Sequence, residues 1–159
     1  MNFIIVKQVS ILSFIIGLVL GIFLLIPLIN LFVFIFAMFL IGGAIVLFLK
    51  KYNMIGIIDI KEGAIIGTLA GFASFLGLSA SYLPVSTLIS LIFSRYTGGF
   101  FKLFSTSLEG LIIGIMLVIF SALMSGLLNS FSGIVVVWLD EFLSGIKKDN
   151  KENFDFEIK

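Results

Sequence analysis

Residues 8–49, QVSILSFIIGLVLGIFLLIPLINLFVFIFAMFLIGGAIVLFL, contain no charged residue. A single helix of this length would measure about 60 Å at about 1.5 Å per residue, twice the hydrocarbon thickness of a bilayer, which is about 30 Å. Near the middle of the run, Pro27 ends one helix because its nitrogen carries no hydrogen, and Asn30 can cap the next. The run therefore predicts a helical hairpin that is buried in lipid.

The composition of the whole chain agrees with a membrane location. Of its 159 residues, 60% are hydrophobic and 12% are charged, whereas soluble domains carry roughly 25% charged residues, and the mean hydropathy is +1.29. Nine lysines against one arginine indicate an AT-rich bacterial genome. We therefore expect an integral protein of a bacterial cytoplasmic membrane, with the lipid bilayer as its main partner.

Several classes of function are disfavoured by the same composition. The net charge of +1 does not suggest nucleic acid as a partner. The chain has neither Cys nor His, so disulfides, the common general base and the common transition-metal ligands are missing. We expect no enzyme activity, no catalytic residue, no cofactor and no metal site.

The second half of the chain predicts a second hairpin. Residues 63–93 are too long for one untilted span, so we place a span at 63–83 and let Pro84 open a short interfacial helix at its favoured first position. A Ser- and Gly-rich stretch predicts a further break near Gly133, which leaves 134–143 as a surface helix. The fold class is thus an all-α integral membrane protein with a four-helix transmembrane domain at 1–143, spans at about 9–26, 31–49, 63–83 and 110–130, and a charged, disordered tail at 144–159.

The distribution of positive charge predicts the orientation. With four spans, only Arg95 and Lys102 fall on the side that lacks the termini, and cytoplasmic segments carry the excess of Lys and Arg. Both termini are therefore expected in the cytoplasm. The basic residues predicted on that side are Lys7, Lys50, Lys51, Lys61, Lys147, Lys148, Lys151 and Lys159.

One local pattern occurs twice, each time at the start of a span. Asp59 and Glu62 precede Gly63, and Thr106 and Glu109 precede Gly110 with the same spacing. Such residues favour a helix N-terminus by capping it and by complementing its dipole. The alternative is a functional carboxylate that handles a proton or cation at each end of the bundle, since ionisable groups near membrane depth are functional candidates. The two carboxylates begin antiparallel spans and are not expected to form one site.

Glycines spaced by four residues form a second pattern. Such glycine zippers let helix backbones approach closely in lipid, where there is no hydrophobic drive for association. The stripes favour packing within the bundle, with a homo-oligomer or a larger membrane complex as the alternative. The predicted helix-packing residues are Gly17, Gly21, Gly63, Gly67, Gly71, Gly110 and Gly114.

Polar residues inside the spans are few. Serines around Pro84, together with Asn129, could line a polar path, but Ser hydroxyls usually bond the backbone one turn back. The chain is therefore expected to be a small polytopic membrane protein with a packing, scaffold or accessory role. The alternative is a small transporter or channel that uses the Ser-rich segment around Pro84 as its substrate or pore element. The residues of that path are Ser79, Ser81, Ser86, Ser90 and Asn129.

Overall fold

The computed structural model describes residues 3–52, 54–55, 58–92 and 108–156, and within these ranges all regular structure is helical. A π-helical turn, Phe36–Leu40, lies between α2 and α3 and makes them one continuous span. The helices are α1 (Phe3–Phe23), α2 (Asn30–Ile35), α3 (Ile41–Lys51), α4 (Ile60–Ile92) and α5 (Leu108–Phe156).

Four segments are long and apolar enough to cross a bilayer, as predicted. They are Phe3–Phe23, Asn30–Lys51, Ile60–Ile89 and Glu109–Leu143. We call Asn30–Lys51 the second span. The prediction of an all-helical chain with four apolar helices of membrane-crossing length is therefore confirmed.

The connection between α1 and the second span is a compact turn around Pro27. The N–H groups of Leu25 and Ile26 donate to carbonyls three residues back, at 3.1 Å each, which tightens the end of α1. Asn30 is the first helical residue and is exposed, and the residue in the cap position is Ile29, without a side-chain cap. The prediction that Asn30 caps this helix is therefore wrong, because the backbone turn itself supplies the hydrogen bonds.

Helix α4 continues through Pro84 and ends at Ile92. The prediction that a separate interfacial helix begins at Pro84 is wrong. A proline deprives the carbonyl four residues back of its donor, yet membrane helices tolerate it where neighbouring hydroxyls and local adjustment satisfy the backbone. The hydroxyls of Ser86 and Thr87 donate to a different carbonyl, that of Leu83, at 3.0 and 2.7 Å, and the helix continues past the Ala80 carbonyl that loses its donor.

Helix α5 is likewise unbroken from Leu108 to Phe156. The predicted break near Gly133 and the surface helix at 134–143 are wrong, because Gly126 and Gly133 face α4 and let the two backbones meet. A Cβ on Gly126 would lie 3.0 Å from the carbonyl oxygen of Thr68, and one on Gly133 would collide with that of Gly63. Residues 144–156, predicted to be disordered, continue the helix.

Helix α4 is the centre of the bundle and packs against α1, α3 and α5. Along α4, residues 74–81 lie beside 14–21 of α1 in the same direction, whereas residues 63–71 lie beside 125–137 of α5 in the opposite direction. Few residues of α1 contact the second span. The main hydrophobic core consists of Val9, Ile41, Ile45, Val46, Leu49, Ile55, Ile58, Ile66, Ala70 and Val137.

Candidate functional site

The strongest candidate site is a polar contact between α5 and the π-helical turn of the second span. In a regular α-helix, the N–H of Gly42 would donate to the carbonyl of Met38. Here it donates to Oδ1 of Asn129 at 2.7 Å. Nδ2 of Asn129 donates in turn to the carbonyls of Ala37 at 3.0 Å and Met38 at 2.9 Å. The side-chain amide therefore replaces the missing hydrogen bond between Gly42 and Met38: its oxygen accepts from the Gly42 N–H, and its nitrogen donates to the Met38 carbonyl. We call Ala37, Met38, Gly42 and Asn129 the Asn129 clasp.

Hydroxyl groups on either side of Asn129 extend the clasp. The Ser125 hydroxyl lies within hydrogen-bonding distance of the carbonyls of Ala37, at 3.3 Å, and of Gly71 in α4, at 3.2 Å. One turn further along α5, the N–H of Gly43 donates to Ser132 Oγ at 2.9 Å. Ser132 Oγ also donates back to the carbonyl of Asn129 at 2.9 Å. The network joins the second span, α4 and α5.

Ala37, Gly42 and Asn129 of the clasp are buried, and Met38 is half-buried. Ser125 and Asn129 are both 0% exposed, and a buried amide without partners would be costly in so apolar a place. Across the described ranges, every buried side-chain nitrogen or oxygen has a hydrogen-bond partner. The π-helical turn of the second span is therefore stabilised by hydrogen bonds to side chains of α5.

Three glycines give Asn129 the space it occupies. A Cβ on Gly71 would lie 2.6 Å from Cβ of Asn129, and one on Gly42 would lie 2.5 Å from its carbonyl oxygen. At Gly67 a Cβ would collide with the same carbonyl oxygen. The backbones of α3, α4 and α5 thus meet at one point, and Asn129 fills it.

The other predicted packing glycines fall into two groups. Gly17 and Gly21 of α1 face the backbone of α4, at Ser74 and Leu78, and Gly63 faces Val137 and Gly133 of α5. Gly110 is buried, whereas Gly114 is half-buried and borders a groove between α4 and α5. Sequence reasoning missed five further contact glycines, and only the seven-residue spacing of the last two hints at a shared helix face. They are Gly42, Gly43, Gly77, Gly126 and Gly133.

The predicted polar path is not continuous. Ser81 Oγ donates to the carbonyl of Leu18 in α1 at 2.8 Å, and Ser86 bonds within its own helix. Ser79 is buried and lines the groove between α4 and α5. Asn129 packs against α4 at Gly67 and Gly71, at least two helical turns before Ser79. The side chain of Ser90 lies outside the described part.

The predicted carboxylates lie at opposite ends of the bundle. Asp59 is exposed and its Oδ1 accepts from the N–H of Ile60 at 2.8 Å, while Glu62 is half-buried in the first turn of α4. Glu109 is exposed in the first turn of α5. Because α4 and α5 are antiparallel, these first turns are far apart, which argues against one paired-carboxylate site. Thr106 lies outside the described residues.

Charged and aromatic side chains gather where α3 ends. Lys50 forms an ion pair with Asp140 of α5. The rings of Phe48 and Tyr52 lie 4.6 Å apart between centroids, and Trp138 stacks on Phe142 at 5.7 Å. Such amphipathic rings and snorkelling cations are typical of the boundary between hydrocarbon and water.

A second feature is a groove between the last turns of α4 and the first turns of α5. Its volume is about 730 Å³, and its walls are almost entirely apolar. Its walls include Leu76, Ala80, Leu83 and Thr87 of α4, and Gly114 and Val118 of α5.

Comparisons with protein-family models, with curated proteins and with solved structures found no match. Within the described ranges, no group of three or more Asp or Glu side chains is placed to hold a metal ion. The arrangement around Asn129 can hold three helices in one register.

Proposed function

We propose that this chain is a structural or accessory subunit of a larger assembly in a bacterial cytoplasmic membrane. The observation that supports this most directly is the Asn129 clasp, in which backbone groups of Ala37, Met38 and Gly42 bond to a side chain of α5 and so join two helices. A transport site at membrane depth usually offers unwound backbone or ionisable groups to its cargo. Here Asn129 and Ser125 already form hydrogen bonds with the backbone groups at the π-helical turn.

The surface of the bundle supports placement in a bilayer. Large apolar side chains are exposed along all four apolar segments, including Ile15, Phe32, Ile65 and Phe120, and in water so much exposed apolar area would favour aggregation. The lysine-rich segments lie on the side of both termini, which we therefore propose to be cytoplasmic. In this placement the four apolar segments cross the membrane as two up-and-down pairs.

The first turns of α5 support a role in assembly. Ile112, Met116 and Phe120 are at least half exposed on one face, and Leu111 and Ile115 on another. This part of α5 therefore packs little against its own bundle, unlike the part around Asn129. In a larger complex, a partner helix would contact the face that carries Met116.

Co-purification from mild detergent tests the proposal. A partner protein in fixed stoichiometry is expected with the native chain and with Ile11→Trp, which alters an exposed position on α1. It should be lost with Met116→Trp. Recovery of the chain alone would contradict the proposal, as would robust solute or ion flux from liposomes that contain only this protein.

The alternative is a small transporter or channel, and one observation favours it. Ser79, Pro84 and Thr87, from the Ser-rich segment, all line the groove between α4 and α5. If this groove carried a polar solute, Ser79→Ala and Thr87→Val would change the rate of flux in liposomes. An unchanged rate in both variants would exclude the segment as the transport path.

A further inference from the structure

The groove between α4 and α5 is about as long as half of a bilayer's hydrocarbon core is thick. On α4 it runs from Leu76 to Thr87, which corresponds to about 16 Å of helix at about 1.5 Å per residue. One leaflet contributes about 15 Å to the hydrocarbon core. We infer that the acyl chains of a phospholipid, from the leaflet on the side away from the termini, occupy this groove.

The closed inner end of the groove favours a lipid over a helix. Beyond Leu76, towards the clasp, α4 and α5 meet backbone to backbone: a Cβ on Gly71 would lie 2.5 Å from the carbonyl oxygen of Ser125. A transmembrane helix of a partner, or of a second copy, would extend past the inner end of the groove, where the contact between α4 and α5 leaves it no space. An acyl chain ends at the midplane, where this groove ends.

The chemistry of the walls also fits a hydrocarbon chain. Leu76, Leu83, Leu111, Ile115 and Val118 are among the apolar side chains that line it. The Thr87 hydroxyl at the outer end already donates to the carbonyl of Leu83 at 2.7 Å. The groove thus offers dispersion contacts to an occupant and little hydrogen bonding. A volume of about 730 Å³ lies within the range of sites for small molecules, about 300–1,000 Å³.

Retention of phospholipid after purification tests this inference. Gly114→Leu and Ala80→Leu both place a side chain in the groove, whereas Leu127→Met adds no volume there because Leu127 of the same helix is exposed and does not line the groove. Each protein is expressed in membranes, extracted in mild detergent, washed and analysed by mass spectrometry for phospholipid per chain. We expect the native chain and Leu127→Met to retain phospholipid in a fixed ratio, and the two groove variants to retain roughly tenfold less, a loss of ~1.4 kcal/mol in binding.

Equal retention by the native chain and both groove variants would overturn the inference. The inference would also be overturned if the groove variants lost a dimer and kept their lipid, because the occupant of the groove would then be a second copy of the chain. Thermal unfolding in the same detergent identifies a variant that does not fold. If one groove variant fails to fold, lipid retention by the other groove variant tests the inference. The result is independent of the accessory role, which concerns the face at Met116.

Discussion

The main-chain N–H of Gly42 donates to Oδ1 of Asn129 across 2.7 Å, although the two residues are 87 positions apart. In lipid there is no water to satisfy a backbone group that leaves the helical ladder, so a neighbouring helix must do so. The π-helical turn and Asn129 therefore depend on each other. Without the amide, the carbonyls of Ala37 and Met38 would lose their buried donor.

Replacing the amide should destabilise the bundle strongly. Asn129→Leu removes the donors to Ala37 and Met38 and the acceptor for Gly42, and leaving buried backbone groups unsatisfied costs about 1–3 kcal/mol. Interhelical hydrogen bonds in membranes are individually weaker, about 0.6 kcal/mol on average, so we expect a total loss of about 2–4 kcal/mol. Unfolding of the purified protein by sodium dodecyl sulfate measures it.

Two further variants show whether the loss of unfolding free energy comes from the amide of Asn129. Asn30→Leu changes an exposed Asn at the start of the same span and should alter the unfolding free energy little. Asn129→Asp retains an acceptor for Gly42 but lacks the amide donors, so it should be as destabilising as Asn129→Leu or more. A stable Asn129→Leu protein would show that the clasp contributes nothing.

The glycines around Asn129 should not tolerate even one extra carbon. In an isolated helix, Gly67→Ala would stabilise the helix by about 1 kcal/mol because alanine has the higher helix propensity. In this bundle the added Cβ would collide with the carbonyl oxygen of Asn129. Overpacking of this kind typically costs 1–3 kcal/mol, so we expect a lower midpoint of thermal unfolding.

Gly114→Ala is the matched control for Gly67→Ala. Gly114 is half-buried beside the open groove, so the propensity gain should dominate and the midpoint should stay constant or rise. An equal drop for both variants would show that the contact with Asn129 is not what makes Gly67 sensitive.

The extent of the apolar helices was predictable, and the way they pack was less so. The uncharged runs and the lysines that flank them determine where apolar helices lie, since a charge at membrane depth is expensive. The glycine spacing identified Gly67 and Gly71 as contact positions. The sequence shows Asn129 only as one polar residue among several, because its partners are backbone groups of a distant span whose π-helical turn has no sequence signature.

The two predicted helix breaks, at Pro84 and near Gly133, are absent for a common physical reason. Both Pro84 and Gly133 are poor helix formers in water, where propensity counts against them. In an apolar environment the backbone gains nothing from leaving the helix, because no solvent replaces the lost hydrogen bonds. Gly133 instead serves the contact with Gly63, which only the packed structure reveals.

The ion pair between Lys50 and Asp140 should contribute modestly to stability. Their side chains are 34% and 43% exposed, so water screens them, and pairs of this kind are worth about 0.2–1 kcal/mol. A double-mutant cycle with Lys50→Met and Asp140→Asn, read from unfolding free energies, should give a coupling in that range that shrinks at high salt. A coupling that is absent at low salt would contradict the pairing.

Pro84→Ala should preserve α4 and leave the protein at least as stable. Because α4 is continuous from Ile60 to Ile92, alanine restores an N–H to the carbonyl of Ala80 and removes the clash of the proline ring, whose cost in helix interiors is about 3 kcal/mol. Membrane helices recover part of this cost locally, so the gain should be smaller. For Pro84→Ala we expect unchanged helical content by circular dichroism and an equal or higher midpoint of unfolding. The control is Pro27→Ala, which changes the turn after α1 and should not raise the midpoint. A marked fall in helicity or in the midpoint for Pro84→Ala would instead indicate that the proline starts a separate helix.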